Sequence, residues 1–300
     1  MIIVMQKQAT REAVGQVADF IRSRGLNVHI SRGEERTILG AVGDERVFHP
    51  QELESLPQVE RAIRVLADWR IISRETLAED SVITVRGTPF GAGRMLDIAA
   101  GPALPPHADA LYTDPFFIPD NPYAEQGPGE KEQIRRMKSA VEGCHAAGKP
   151  VLVRVRDVRQ IEQALQAGAD ILYLGGELMA NRALQREVGR LNTPVVICKD
   201  KHHLYNEWLA AAEHIALQGN HQIILGESGT LSFEPGHQYR FDTDAVVRVR
   251  RLSHLPVLAN ITRLWHNDMP QEILYRLAGA AGANAVVSTL PPAARRQPSP

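Results

Sequence analysis

From residue 97 onward, short continuous apolar runs alternate with amphipathic stretches. The runs are IAAGP, ALYTD, VLVRVRD, ILYLGGE, VVICKD, IILGES, LPVLANIT and AVVSTLP. Uninterrupted apolar strands suit a parallel sheet covered on both faces, where no side chain meets water. Eight such runs predict a closed barrel rather than an open sheet. Gly148-Lys149-Pro150, Gly168-Ala169-Asp170 and Gly282-Ala283-Asn284 each precede a run and supply helix-to-strand turns.

The first connection is anomalous. Only residues 104–109, LPPHAD, separate the first two runs, and their prolines exclude a helix. A full barrel of strand–helix units takes about 250 residues, whereas residues 97–290 supply fewer than 200. The predicted barrel therefore lacks the helix between strands 1 and 2. The flank near residues 103–123 would need another surface, from a homo-oligomer or a dedicated protein partner.

Residues 1–72 form a separate βαββα pattern. A strand over 1–5 precedes a helix capped by Thr10, with Val14, Val17, Ala18 and Ile21 at helical spacing and Gly25 at its end. Strands over 27–31 and 36–42 follow, with Gly33 and Gly43 at the turns. His49-Pro50 opens a short helix, and a longer segment begins over 59–66. Residues 73–96 read as a linker in which 81–85 and the glycines of GTPFGAG make a hairpin lid over the bottom of the barrel. Residues 291–300 have no apolar periodicity and read as a flexible tail.

Charge narrows the partners. With 34 basic against 35 acidic residues the net charge is -1, which gives no electrostatic footprint for nucleic acid or an anionic membrane. No apolar run approaches the roughly 20 residues that cross a bilayer, and MIIVMQ lacks the basic flank of a signal peptide. A cytoplasmic location is expected. Cys144 and Cys198 stand far apart, match no metal spacing and fit a reducing interior. Gly87 to Gly93 lack the strand–helix context of a dinucleotide or phosphate loop, so no cofactor is expected.

Several phrases carry a resemblance. They include MIIVM with Ala9-Thr10, residues 28–37 (VHISRGEERT), residues 98–102, Pro122-Tyr123 with Gln126-Gly127, and Asn181 followed by LQREVG at 184–189. They continue with Pro194-Val195-Val196 leading to Lys199, Trp208 with AAEHI at 211–215, Gly219-Asn220, and Leu255-Pro256-Val257. On these residues the chain resembles the type I 3-deoxy-D-arabino-heptulosonate 7-phosphate (DAHP) synthases with an N-terminal ferredoxin-like domain, relatives of the 3-deoxy-octulosonate 8-phosphate synthases. The resemblance implies an α/β fold: a (β/α)8 TIM barrel, here without its first helix, behind a small ferredoxin-like α+β domain. It implies condensation of phosphoenolpyruvate with erythrose 4-phosphate, using a divalent metal and basic phosphate-binding residues at the C-terminal end of the barrel.

The residues that the family uses depart here. Its Gly-Pro-Cys reads Gly101-Pro102-Ala103, its Ser-His reads Thr262-Arg263, and its glutamate and loop-histidine ligands correspond to Thr289 and Pro291. Its following aspartate ligand finds no equivalent in the tail. The Lys-Pro-Arg-Thr-Ser-Pro-Tyr loop is residues 117–123, FIPDNPY; the Lys-Arg pair is Lys199-Asp200; Glu-Arg-Gly-Ile-Arg-Thr is residues 227–232, ESGTLS. An arginine after strand four becomes Glu177, while a glutamate after strand three becomes Arg154, an exchange that can keep a network paired. Bidentate arginine–phosphate contacts are hard to replace.

On these departures the metal and phosphoenolpyruvate sites are expected to be lost, and no metal is expected. The leading expectation is a catalytically inactive DAHP synthase-like protein with a structural or regulatory subunit role. A metal-independent lyase or aldolase of a specialised pathway is the alternative, and a diverged DAHP synthase the third. Candidate catalytic residues are Lys199, Glu227, Glu177 and Arg154, with Asp114, Asn260 and Arg263 lining a pocket for a small anionic or polar ligand. Lys199 suits a Schiff base, a retained anion contact, or a salt bridge to Glu177, Glu227 or Asp200. His202, His203 and His266 read as exposed loop histidines, and strand alternation places Cys198 toward the helices.

Overall fold

Thr10 starts the first helix by accepting a hydrogen bond from Ala13 N at 3.2 Å, and this local event begins a βαββαβ order. The computed structural model describes residues 1–32, 37–43, 47–63, 69–119, 121, 123–125 and 127–291. The turn at Gly33, the end of the 59–66 segment, Asp120, Pro122, Gln126 and the tail from residue 292 lie outside the described residues. The chain divides into two units, Met1–Arg70 and Ile71–Pro300.

In the first unit, helix α1 (Arg11–Ser23) buries Val14, Val17, Ala18 and Ile21. They pack with Ile3, Met5, Leu39 and Phe48 from one face of an antiparallel sheet and its flanking loop. Its strands are β1 (Ile2–Met5), β2 (Asn27–Arg32), β3 (Thr37–Val42) and β4 (Val59–Ile63), in the order β2-β3-β1-β4. The short helix α2 is Pro50–Glu54. The segment beginning at Val59 is thus a sixth element, a strand. A register shift between Val4 and Met5 of its partner breaks the alternation that would have marked it.

In the second unit, β5 (Ile83–Val85) and β6 (Thr88–Phe90) form a hairpin through Arg86-Gly87, both at positive φ. Ile83, Val85 and Phe90 plug one end of the barrel interior beside Leu96, Ile98 and Leu258. Gly91 makes the return possible, since a Cβ there would lie 2.2 Å from Ser81 O. The barrel strands are β7 (Leu96–Ala100), β8 (Ala110–Thr113), β9 (Val151–Val155), β10 (Ile171–Leu174), β11 (Val195–Cys198), β12 (Ile223–Glu227), β15 (Val257–Asn260) and β16 (Ala285–Ser288). All pair in parallel, and β16 closes onto β7. A small hairpin, β13 (Thr230–Leu231) with β14 (Tyr239–Arg240), interrupts the passage from β12 to α7 (Thr243–Leu252).

No helix joins β7 to β8. Residues 101–109 return along the barrel in extended and turn conformation, enough at about 3.3 Å per residue to span one short strand. Asp109 fastens the return by accepting from Asp97 N at 2.8 Å and pairing with Arg94. The other outer helices are α3 (Glu130–Ala146), α4 (Arg159–Gln166), α5 (Arg182–Gly189), α6 (Tyr205–Ala216) and α8 (Gln271–Ala280).

Candidate functional site

The C-terminal strand ends gather two different groups of polar residues. Over β8, β9 and β10 the group is centred on Arg154. Its Nη2 donates to Glu177 Oε1 at 2.7 Å and its Nη1 to the Tyr112 hydroxyl at 3.4 Å, with Asp114 Oδ2 at 3.8 Å. Arg156 grips Asp114 with two bonds, at 3.0 and 2.6 Å. Tyr112 meets Tyr173 edge-on at 4.8 Å, and Asn260 Nδ2 donates to the Tyr173 hydroxyl at 3.0 Å. Burial pushes the Tyr112 phenol up to about 12. Burial also works against the Glu177 carboxylate, but the charge and hydrogen bond of Arg154 outweigh it and hold its pKa below the usual value.

Arg154, Glu177, Asp114 and Asn260 therefore belong to one network, with Arg263 at its rim. The Arg263 guanidinium lies over the Phe117 ring at 4.5 Å, while Arg156 covers the same ring at 5.4 Å. Two cavities open beside it. One, of about 690 Å³, is lined by Tyr112, Asp114, Phe117, Arg135, Arg136 and Arg263. A smaller one, of about 180 Å³, reaches Arg154, Glu177, Lys199, Asn260 and Arg263.

Over β11 and β12 the ionisable groups are buried instead. Cys198 faces the barrel interior with Tyr112, Tyr173 and Val196, not the helices, so the strand alternation runs in the opposite phase to that expected. The next residue, Lys199, consequently leaves the barrel axis and is only 1% exposed. Its ammonium pairs with Asp242 Oδ2 at 3.1 Å and donates to the carbonyls of Asp200 and His203 at 3.3 and 3.4 Å. The salt bridge is thus to Asp242, a residue the sequence spacing did not indicate, rather than to Glu177, Glu227 or Asp200. These three acceptors fix the amine as a tie between loops.

Glu227, fully buried at the end of β12, accepts from Gly229 N at 2.5 Å and Asp242 N at 3.3 Å through one oxygen. Its other oxygen has no hydrogen-bond partner. Burial raises its pKa to about 8; the Asp242 charge adds to the rise, while the Gly229 and Asp242 amides and the Lys199 charge oppose it. A neutral carboxyl is the form that this enclosure favours near neutrality.

The loops beyond these strands bring together a third group. His237 comes from the β13–β14 hairpin, and His266 and Asp268 come from the loop after β15. The imidazoles stack with centroids 3.4 Å apart and planes 14° apart, and His237 Nε2 lies 3.6 Å from Asp268 Oδ2. One ligand atom from each residue lies within 4.8 Å of the others. Mutual backbone hydrogen bonds of 3.0 Å between His266 and Met269 hold that loop. Two imidazoles and a carboxylate suit a divalent first-row metal, and the buried, unpartnered Nδ1 of His266 is a polar atom that a ligand bond would satisfy.

Sequence spacing does not reveal this group because His237 stands far before His266 and Asp268 in the chain. His266, expected to be an exposed loop histidine, is half-buried and stacked. The only local signal was the carboxylate two residues after it.

A closed parallel barrel that follows a ferredoxin-like domain in the chain defines the class as that of TIM-barrel proteins with an added α+β domain. The comparisons are more specific. The profile of the DAHP synthase ferredoxin-like domain matches residues 1–67, and that of the DAHP synthetase I family matches residues 116–278. A Thermotoga maritima protein described as phospho-2-dehydro-3-deoxyheptonate aldolase is 31% identical, over 97% of this chain and 89% of its own. The crystal structure of a T. maritima DAHP synthase gives a TM-score of 0.67 at 29% identity, over 95% of this chain and 86% of that one. A truncated form of the T. maritima enzyme gives 0.62 at 25% identity, covering 74% and 84%. This chain belongs to the DAHP synthetase I family.

These findings overturn the expectation of an inactive subunit with its metal site lost, and with it the metal-independent alternative. His237, His266 and Asp268 offer a candidate donor set beyond the C-terminal strand ends, and the relative matched over 97% of this chain is described as an aldolase. No helix among the described residues is long and apolar enough to cross a membrane.

Proposed function

We propose that this protein is a DAHP-synthase-type enzyme that condenses phosphoenolpyruvate with a phosphorylated aldose such as erythrose 4-phosphate. The observation that carries the reading is the convergence of His237, His266 and Asp268 beyond the C-terminal ends of β12 and β15. A divalent metal held there would supply Lewis-acid polarisation of a carbonyl oxygen. The chain's own residues bind and orient. Arg263 carries no carboxylate partner among its described contacts and stands at the mouth of both cavities, where it can take a phosphate or carboxylate bidentately. Arg135 and Arg136 face the larger cavity and are shared with Glu132. Arg156 fixes Asp114, and Arg154 with Glu177 keeps the floor polar and paired. In this reading the family's reaction is served by an altered residue set, in which basic groups on α3 and the β15 loop stand in for those absent from residues 117–123.

The test is consumption of phosphoenolpyruvate by the purified chain with erythrose 4-phosphate, in the presence of Mn2+, Co2+ or Zn2+. Turnover that requires metal and disappears with a chelator or with His266→Ala is expected. A folded protein that consumes no phosphoenolpyruvate with any of these metals overturns the reading.

A further inference from the structure

The buried charges over β11 and β12 surround the base of the hairpin that carries His237. The passage from Glu227 to Asp242 leaves the barrel, forms β13 and β14, and returns to start α7, where Asp242 caps the helix by accepting from Ala245 N at 3.0 Å. One Glu227 oxygen receives the amides of Gly229 and Asp242, so a single side chain closes both ends of the excursion. Lys199 then ties Asp242 to the loop after β11 through its ion pair and its bonds to the Asp200 and His203 carbonyls. The same loop touches the hairpin itself. The Lys201 ammonium lies 3.6 Å from the centre of the Tyr239 ring, and the Thr230 hydroxyl donates to the Lys201 carbonyl at 3.4 Å. The hairpin is therefore fastened at its base and along one side, and His237 is the residue that it delivers.

We propose that Glu227, Asp242 and Lys199 are positioning residues that hold the β13–β14 hairpin so that His237 stacks on His266 within ligand distance of Asp268. This rests on the reading that those three residues hold a divalent metal. The geometry supports the clamp independently of that reading. Burying Lys199 and Glu227 is costly unless they find partners, and here the partners are Asp242 and backbone groups that define the loop. Among the described residues no hydrogen bond or ion pair joins the three ligands to Glu227 or Lys199, so the clamp acts through the backbone. An ordinary barrel connection needs no such anchor, because a short loop has few conformations to exclude. Residues 228–242 form a long excursion whose tip exposes Phe233 entirely, and its position is set at the base.

Two readouts on the full chain test this. The first is affinity for Co2+, measured by visible absorption in competition with a chelator. The second, made without metal, is the ring-current shift of the His266 ring protons caused by the stacked His237, read by histidine-selective NMR. Glu227→Ala is expected to weaken Co2+ binding by about 10–100-fold, the range for residues that orient ligands, and to abolish the ring-current shift. Glu227→Gln keeps an acceptor oxygen for both amides and is expected to rescue both readouts. Asp242→Asn retains the helix cap and loses the ion pair, and is expected to weaken both readouts partially; it decides the matter if Glu227→Ala does not fold. Wild-type affinity and an unchanged shift in a folded Glu227→Ala protein would overturn the clamp. If His266→Ala leaves Co2+ affinity unchanged, the metal reading fails, and the ring-current shift alone decides the clamp.

Discussion

The two halves of the barrel's C-terminal face treat charge in opposite ways. Around the cavity of about 690 Å³ that spans from β8 and α3 to the loop after β15, guanidinium groups line the wall, and Arg263, from that loop, has an aromatic ring rather than a carboxylate as its described neighbour. Over β11 and β12, Lys199 and Glu227 are buried almost completely, and their polar contacts go largely to backbone. The first region leaves Arg263 to meet a ligand while its other guanidinium groups pair with carboxylates; the second uses its ionisable groups to hold loops. A strand-end lysine or glutamate is therefore not evidence of catalysis until its partners are known.

Breaking the metal-ligand set should have the largest effect. His266→Ala or Asp268→Ala should lower divalent-metal affinity by more than about 100-fold, beyond the range for orienting residues, as measured by competitive titration, and should remove turnover with it. Arg263→Ala should come next. Losing a charge-assisted hydrogen bond of about 1.5–3 kcal/mol corresponds to about 10–100-fold in kcat/KM. Steady-state kinetics should place that loss mainly in KM, and Arg263→Lys should recover only part of it because the bidentate fork is gone.

The comparison is sharpened by pH. Glu227 has its pKa raised from 4.5 to about 8 in the folded protein, so the folded state holds a proton that the unfolded chain releases between these values. Stability therefore falls as pH rises from about 5 to 8, by at most about 1.4 kcal/mol per pH unit for one proton. Thermal melts across this window should show that slope in the wild type and a shallower one in Glu227→Gln. Arg135→Ala should do least to stability. Its pair with Glu132 is solvent-exposed and screened, so melting temperature should hardly move.

Much of the fold could be read from the residues. Eight apolar runs became eight barrel strands because a parallel sheet covered on both sides leaves no polar alternation to obscure it. LPPHAD excluded the first helix by its prolines alone. The β4 strand escaped because a register shift beside it hides the period of two. The site was legible at one pair: Arg154 and Glu177, expected to keep a network paired, do pair. The phase of Cys198 was misread because an all-apolar strand gives no sign of which face is inward. The partner of Lys199 and the His237–His266–Asp268 group depend on where a hairpin and two loops come to rest, and no spacing along the chain encodes that.

The most direct test follows phosphoenolpyruvate consumption with erythrose 4-phosphate while Mn2+ is titrated into wild-type and His237→Ala proteins side by side. The account predicts wild-type turnover that rises to saturation with metal, and a His237→Ala protein that stays folded and near background throughout. Turnover in His237→Ala with the wild-type metal dependence, or no turnover in either protein at any metal concentration, would contradict it.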